Sequence, residues 1–303
     1  MKHVFLYPLI ALGLLAGCTG NTGSSDQQQG RADTFYSSQY SGNDRDHNQR
    51  NGERRENNTG EYRSTGNQSL LDVKLPARLD NQTVRYKAIT IYYNKYYHVP
   101  NCVAYELTNT QVSMADAPDA QKRDNYQFNR DSQVAGCPDW WEYKETGYDR
   151  GHMAPAMDMR WDRTAMEQCF MMTNICPQDH ELNDGEWRHM EEAIHTWART
   201  ARRLVIFTGP VLEGNMKKMG KKNNIAVPNQ FYKVVYAPEQ DRAIAFLFSN
   251  KKATNSWTNY TVTIDQVERL TGIDFLAALP DDSETVVESK QNIKDWPRYY
   301  PRR

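Results

Sequence analysis

Cysteine is scarce in this chain: five occur in 303 residues, and no two stand as a Cys-x-x-Cys pair, which argues against a zinc finger or ribbon. Net charge is nearly absent, at −1. No global basic field therefore advertises a polyanionic partner, and any polyanion would have to be handled by a local patch. No repeat of solenoid period is visible. Aliphatic residues almost vanish between Thr19 and about Gln68. Such a stretch cannot bury enough apolar surface to offset its ordering entropy. A long membrane-spanning run is also missing. The apolar stretch "VFLYPLIALGLLAG" ends at Cys18 and is short for a span.

That stretch follows Lys2 and His3 and has the layout of a secretory signal. Leu15-Ala16-Gly17-Cys18 resembles the bacterial lipobox, in which the signal is cut before the cysteine and the cysteine carries lipid. The competing reading is an ordinary signal followed by an incidental cysteine. Small residues where cleavage needs them favour the lipobox, and lipid chains on Cys18 would tether the protein to a membrane without spanning it. Thr19, in place of Asp, points to the outer membrane of a Gram-negative cell. The expected organisation is a lipoprotein signal over 1–17, a polar tether over 18–68 and a folded domain over 69–298.

Beyond Cys18 remain Cys102, Cys137, Cys169 and Cys176. An even number in an exported chain permits two disulfides in any of three pairings. Cys169 and Cys176 flank a strand-like run and could equally be buried thiols. Arg199, Arg202, Arg203, Lys217, Lys218, Lys221 and Lys222 could form a basic patch, or a solvated surface with scattered charge.

With 39% hydrophobic and 25% charged residues, the chain has enough apolar material for one large domain or two small ones. From Leu70 the pattern turns strand-rich. "YKAITIYYNKYYHVPNCVAYELT" reads as strands broken at "VP", and "RRLVIFTGPVLEG", "QFYKVVYAPE" and "RAIAFLFSN" follow as strand candidates. "GEWRHMEEAIHTWARTARR" places Trp187, Met190, Ile194, Trp197 and Ala201 on one helical face. Asn183 and Asp184 stand where that helix would be capped. A second helix is expected in "TIDQVERLTGIDF". Strands and helices mix without regular βαβ alternation, so the expected class is α+β.

The stretch "YDRGHMAPAMDM" sets Asp149, Arg150, Gly151 and His152 side by side. Alone it reads as a turn and a half-buried strand with an ordinary histidine. Downstream comes "FMMTNICPQDHELNDGEWRHMEE", carrying Asn174, Pro177, Gln178, Asn183 and Glu191. Together these pieces resemble the DNA/RNA non-specific endonucleases. Those are ββα-metal nucleases with a DRGH signature, an N-x-x-P-Q strand end, and then a helix-borne asparagine and glutamate. "FTGPV" and "LTGIDFLAALPD" extend the resemblance from about Leu70 to Phe275.

The resemblance implies a ββα-metal core on a mixed, largely antiparallel sheet with flanking helices, and hydrolysis of phosphodiester bonds in DNA and RNA. Its implied cofactor is one divalent cation, Mg²⁺, with Mn²⁺ or another as substitute. A neutral histidine of near-neutral pKa can take a proton from water, which would be the role of His152. Asn183 would be the direct ligand of the ion. Eight residues of regular helix rise about 12 Å, so if the helix is unbroken between them Glu191 cannot share that ion directly and would touch a metal-bound water; its neighbour Glu192 is the alternative. Arg150 would support the scissile phosphate, unless it pairs with Asp149. Asp149 itself is expected to orient the strand or an arginine. Arg123 would be a second catalytic arginine, although it stands five residues before Phe128, one more than the family spacing; Arg130 is its rival. Asn174 would bind substrate or hold the loop of the base in place.

Two other functions compete. A zinc hydrolase could use His180, His189 and His195, but "HMEEAIH" is not H-E-x-x-H and its histidines fall on different helix faces. A catalytically inactive, nucleic-acid-binding lipoprotein would predict loss of the base, the arginine or the asparagine. All three are present.

Overall fold

The computed structural model describes residues 69–300. The expected signal and tether, Cys18 among them, lie outside the described residues. Runs of β-branched and aromatic residues build a sheet of seven strands. In order across it these are β1 (Gln82–Arg85), β2 (Ile89–Asn94), β3 (Val99–Thr108), β6 (Arg203–Val211), β9 (Gln230–Ala237), β10 (Arg242–Ser249) and β11 (Thr261–Val262). Two shorter pairs stand apart: β4 (Asp149–His152) with β5 (Ile175–Gln178), and β7 (Lys217–Met219) with β8 (Ile225–Val227). Every pairing in the central sheet is antiparallel, so the mixed character expected for it is absent and the α+β class holds.

Both faces of the sheet are covered, which is why β6 and β9 read as almost unbroken apolar runs instead of alternating ones. Ile91, Val103, Tyr105, Leu204 and Ile206 point into one core, with Met153, Cys176, Trp187 and Ile194. Their strand neighbours Tyr92, Ala104, Val205 and Phe207 point into the other, with Ile264, Val267, Phe275 and Val287.

Among the described residues there are seven helices: α1 (Asn109–Ala115), α2 (Ala156–Met159), α3 (Arg163–Cys169), α4 (His180–Asn183), α5 (Glu186–Ala198), α6 (Ile264–Thr271) and α7 (Asp281–Glu288). The face expected on α5 is buried, with Trp187, Met190, Ile194 and Trp197 in the core. Its start differs from the sequence expectation. Asn183 ends α4, and Gly185 occupies the N-cap of α5. The helix expected near the C-terminus is α6, capped by Thr263 and Gln266 and ended by Gly272 at φ 71°. Among the described residues, no helix is long and apolar enough to cross a membrane.

Three further expectations change. The chain reverses before Val99-Pro100 and β3 runs through that pair, with Pro100 at an irregularity in the pairing with β2, where a missing N–H does least harm. The four cysteines of the domain are free and buried. Cys102 faces one core, and Cys137, Cys169 and Cys176 face the other. Burial pushes the thiols of Cys102 and Cys137 up to about 12, which marks inert packing residues. The basic cluster is divided along β6. Arg203 opens that strand, paired with Glu106 and Glu239, and Arg199 is held by Asp116. Lys217 and Lys218 lie on β7, beyond its far end.

Candidate active site

The DRGH stretch is β4 itself, and the N-x-x-P-Q stretch ends in β5. The register sets Asp149 opposite Gln178 and His152 opposite Ile175. Strand alternation puts Arg150 and His152 on one face, and Phe128 meets both, 4.7 Å from the Arg150 guanidinium and 5.2 Å from the His152 ring. Gly151 is required by contact. A Cβ there would come 2.2 Å from Gln178 Oε1, so the glycine lets the fully buried Gln178 side chain lie across the strand.

His152 is wedged between Phe128 and Phe170, with the Phe170 ring edge-on at 4.8 Å. Its Nε2 is sealed from solvent and has no hydrogen-bond partner. Burial, with Arg123 and Arg150 adding to it, pulls the imidazole down to about 3. The imidazole is thereby held below the ordinary histidine range, which favours its uncharged form.

Beside this wedge opens a cleft of about 270 Å³ lined by Arg123, Phe128, Tyr143, Lys144, Tyr148, Asp149, Arg150 and Asn183. Arg123 leads a short 3₁₀ turn, Arg123–Asn125, and its guanidinium sits 5.5 Å from the Phe170 ring. Arg130, its rival, is not part of the wall. Arg150 lies over Phe128 and, at 5.9 Å, Trp140, and no ion pair to Asp149 forms. Asp149 is instead committed to the helix: its Oδ2 accepts from Asn183 Nδ2 at 2.9 Å and meets His180 Nδ1 at 2.9 Å.

Asn174 is not among the residues of the cleft wall. It is fully buried, its Oδ1 accepting from the Ala154 amide and its Nδ2 donating to the carbonyls of Ala154 and Cys169. With every polar atom used, it clamps the backbone that follows His152. Glu191 is not in the cleft wall either. Its Oε1 accepts from Lys233 Nζ at 2.9 Å, and that nitrogen also donates to the Met153 carbonyl at 3.2 Å. Burial raises the Glu191 carboxyl to about 7 although Lys233 opposes the shift. Glu192, the alternative, is bound by Arg188 and Tyr299.

Residues 66–282 match the DNA/RNA non-specific endonuclease family over their whole extent. The chain belongs to that family. It is similar to a nuclease of Nostoc, with 28% identity covering 70% of this chain and 79% of the relative. It is also similar to a mitochondrial nuclease of Saccharomyces cerevisiae, 30% identical over 50% of this chain and 53% of the relative, so it spans about half the length of that protein. In fold it resembles a chain of the EndoG/EndoGI complex, with a TM-score of 0.63 and 23% identity over 67% of this chain and 89% of that one.

Endonuclease-family membership implies a divalent cation, and the donor set at the cleft fits a loosely held one. Because Asp149 takes the amide nitrogen of Asn183, the amide Oδ1 is left as a donor atom, and an uncharged oxygen suits a hard ion that keeps most of its waters. Among the described residues, no three His, Cys, Asp or Glu side chains gather at the cleft. The zinc reading fails on the same ground. His180 goes to Asp149, His189 to Glu186, and His195 to Asp158 and Asp116, so the three histidines do not converge.

Sequence reasoning missed Lys233 and the acid Asp158. Lys233 is 0% exposed, and its signal was a lone cation inside the apolar strand "FYKVVYA". Asp158 is bound by Tyr105 and His195 behind α5. It stands in the quoted "AMDM", with nothing local to mark it.

Proposed function

We propose that this endonuclease-family chain is a divalent-metal-dependent endonuclease that hydrolyses phosphodiester bonds of DNA and RNA. The observation that carries the reading is the convergence of Arg123, Arg150 and Asn183 on one cleft beside an uncharged, aromatic-wedged His152. Arg123 and Arg150 bind the phosphate, a task suited to planar donor forks. Such contacts hold the backbone and leave the bases unread, which fits a nuclease indifferent to sequence. With Nε2 sealed, Nδ1 of His152 is the nitrogen that accepts a proton from the attacking water. An anionic phosphate beside the ring favours its protonated form, so substrate binding strengthens the base. Asn183, oriented by Asp149, would hold the cation through its free amide oxygen. When bound, Mg²⁺ or Mn²⁺ supplies Lewis-acid stabilisation of the phosphate and of the leaving oxygen. Lys233 and Asn174 are positioning residues that fix the backbone after His152, and Glu191, which holds Lys233, is the acid that would meet a water of the cation.

Titrating Mg²⁺ against cleavage of DNA and of RNA tests the reading. Wild type is expected to cut both and to lose both activities in EDTA. Asn183→Ala is expected to need far more Mg²⁺, while folding changes little because Gly185 and not Asn183 caps α5. Asp149→Ala frees the amide and is expected to shift the requirement less, in the range of about 10–100-fold typical of outer-sphere partners. A metal-independent wild type, or an unchanged Mg²⁺ requirement in Asn183→Ala, would sink the assignment.

We also propose that the protein is exported and lipid-anchored at Cys18, supported by Leu15-Ala16-Gly17-Cys18 behind an apolar run. Cys18→Ser is expected to move the protein from the membrane fraction to the soluble one. Its continued partitioning with detergent would reject the lipoprotein reading.

A further inference from the structure

The sheet face opposite the cleft carries a second concentration of chemistry. Asp265 and Glu268 lie on α6 and Glu288 is the last residue of α7, and their carboxylate oxygens all fall within 4.8 Å of one another. Glu288 is 7% exposed, and its Oε1 is buried without a hydrogen-bond partner. Oε1 of Glu284, one turn earlier on α7, is buried and unpartnered too. Buried polar atoms are almost always satisfied, so an unsatisfied one calls for an explanation. Asp265 and Glu268 sit at i, i+3, and Glu284 and Glu288 at i, i+4, spacings at which like charges destabilise a helix. Lys74 bears on the group but is already paired with Asp274 at 2.9 Å and is largely exposed. Glu268 Oε1 also accepts from the Phe275 amide at 2.7 Å.

We propose that Asp265, Glu268 and Glu288 form a second divalent-cation site, of the calcium class, that ties α6 to α7. A cation placed among the three would answer the unpartnered Glu288 oxygen and the acid spacing together, displacing the proton that burial otherwise favours there. Calcium fits better than magnesium, because it accepts six to eight oxygens in flexible geometry, whereas magnesium demands a near-ideal octahedron and sheds water reluctantly. The two helices pack through Ile264, Val267 and Val287 on the core that the cleft does not touch, so the site serves stability and not phosphodiester chemistry. Burial, and the neighbouring Glu268, Glu284, Asp265 and Asp274, push the Glu288 carboxyl up to about 9; burial and Asp274, Asp265 and Glu284 raise Glu268 to about 7. Ion binding would therefore release protons.

Thermal melts of the full chain in EDTA and in CaCl₂, with calorimetric Ca²⁺ titration, test the site. At Ca²⁺ about a hundredfold above Kd, wild type is expected to gain about 5–10 °C, and Asn183→Ala to gain the same. The double variant Glu268→Gln/Glu288→Gln is expected to lose the gain and the heat of Ca²⁺ binding. In EDTA it should melt close to wild type, since the carboxyls it replaces are held largely protonated there, and its Mg²⁺-dependent cleavage should be unchanged. Should the double variant not fold, Asp265→Asn alone should raise the Ca²⁺ concentration needed for half the shift. A wild type indifferent to Ca²⁺, a full shift in the double variant, or a shift lost in Asn183→Ala would each overturn the proposal.

Discussion

Replacing His152 by alanine is expected to lower kcat on DNA and RNA alike by about 10²–10⁴-fold, the usual contribution of a general base. Binding should survive, because Arg123 and Arg150 remain to hold phosphate. The fold should survive as well. The ring packs on Phe128 and Phe170 and its Nε2 bonds to nothing, so truncation leaves an apolar gap costing about 2 kcal/mol. Single-turnover cleavage beside near-ultraviolet circular dichroism separates rate from folding. A variant keeping more than about a tenth of the wild-type rate would remove His152 from the base role. The pH profile adds a second check. A base is lost as pH falls through its pKa, and burial with Arg123 and Arg150 holds His152 at about 3. Between pH 8 and pH 5, kcat/KM should therefore show no loss from protonation of His152. An acid limb near 6.5 that disappears in the variant would mean that the ring titrates as an exposed histidine.

What the sequence disclosed and what it hid divide along chain distance. β4, the end of β5 and the α4–α5 turn lie within residues 149–191, so their motifs kept local spacing and Arg150, His152 and Asn183 could be picked out directly. Three errors arose where three-dimensional placement decides. Asn183 looked like a cap because a polar pair precedes an amphipathic run, yet a separate one-turn helix, capped by Asp179, intervenes. Counting cysteines suggested disulfides, but the sheet separates Cys102 from the other three. Asn174 was read partly as a substrate ligand, and only its burial shows that each of its polar atoms is taken by backbone. Lys233 was invisible for another reason: its partners Glu191 and Met153 lie 42 and 80 residues away, and no local pattern announces a contact of that range.

The largest stability effect in the domain is expected at Lys233. Lys233→Met leaves Glu191 in the core without its cation, and removing one member of a buried pair typically costs about 3–5 kcal/mol. For a domain of this size, that lowers Tm by about 10 °C. The loss should depend on pH. Glu191 is already raised to about 7 with Lys233 present, and without it the carboxyl rises further above the unfolded value of 4.5. Above that value the folded chain then holds a proton that the unfolded chain has released, so stability falls as pH rises. The variant should be least damaged near pH 5 and most damaged near pH 8. Adding Glu191→Leu should restore most of the lost stability, because apolar replacement of a whole buried pair is often neutral or better. Activity should not return with it. The double variant still lacks the donor to the carbonyl of Met153, the residue directly after the base, and its kcat should stay low while its affinity for nucleic acid is retained. If the double variant melts no higher than Lys233→Met, the two residues are not energetically coupled. If it cleaves at the wild-type rate, the tie to Met153 does not position His152, and Asn174 alone must hold that loop.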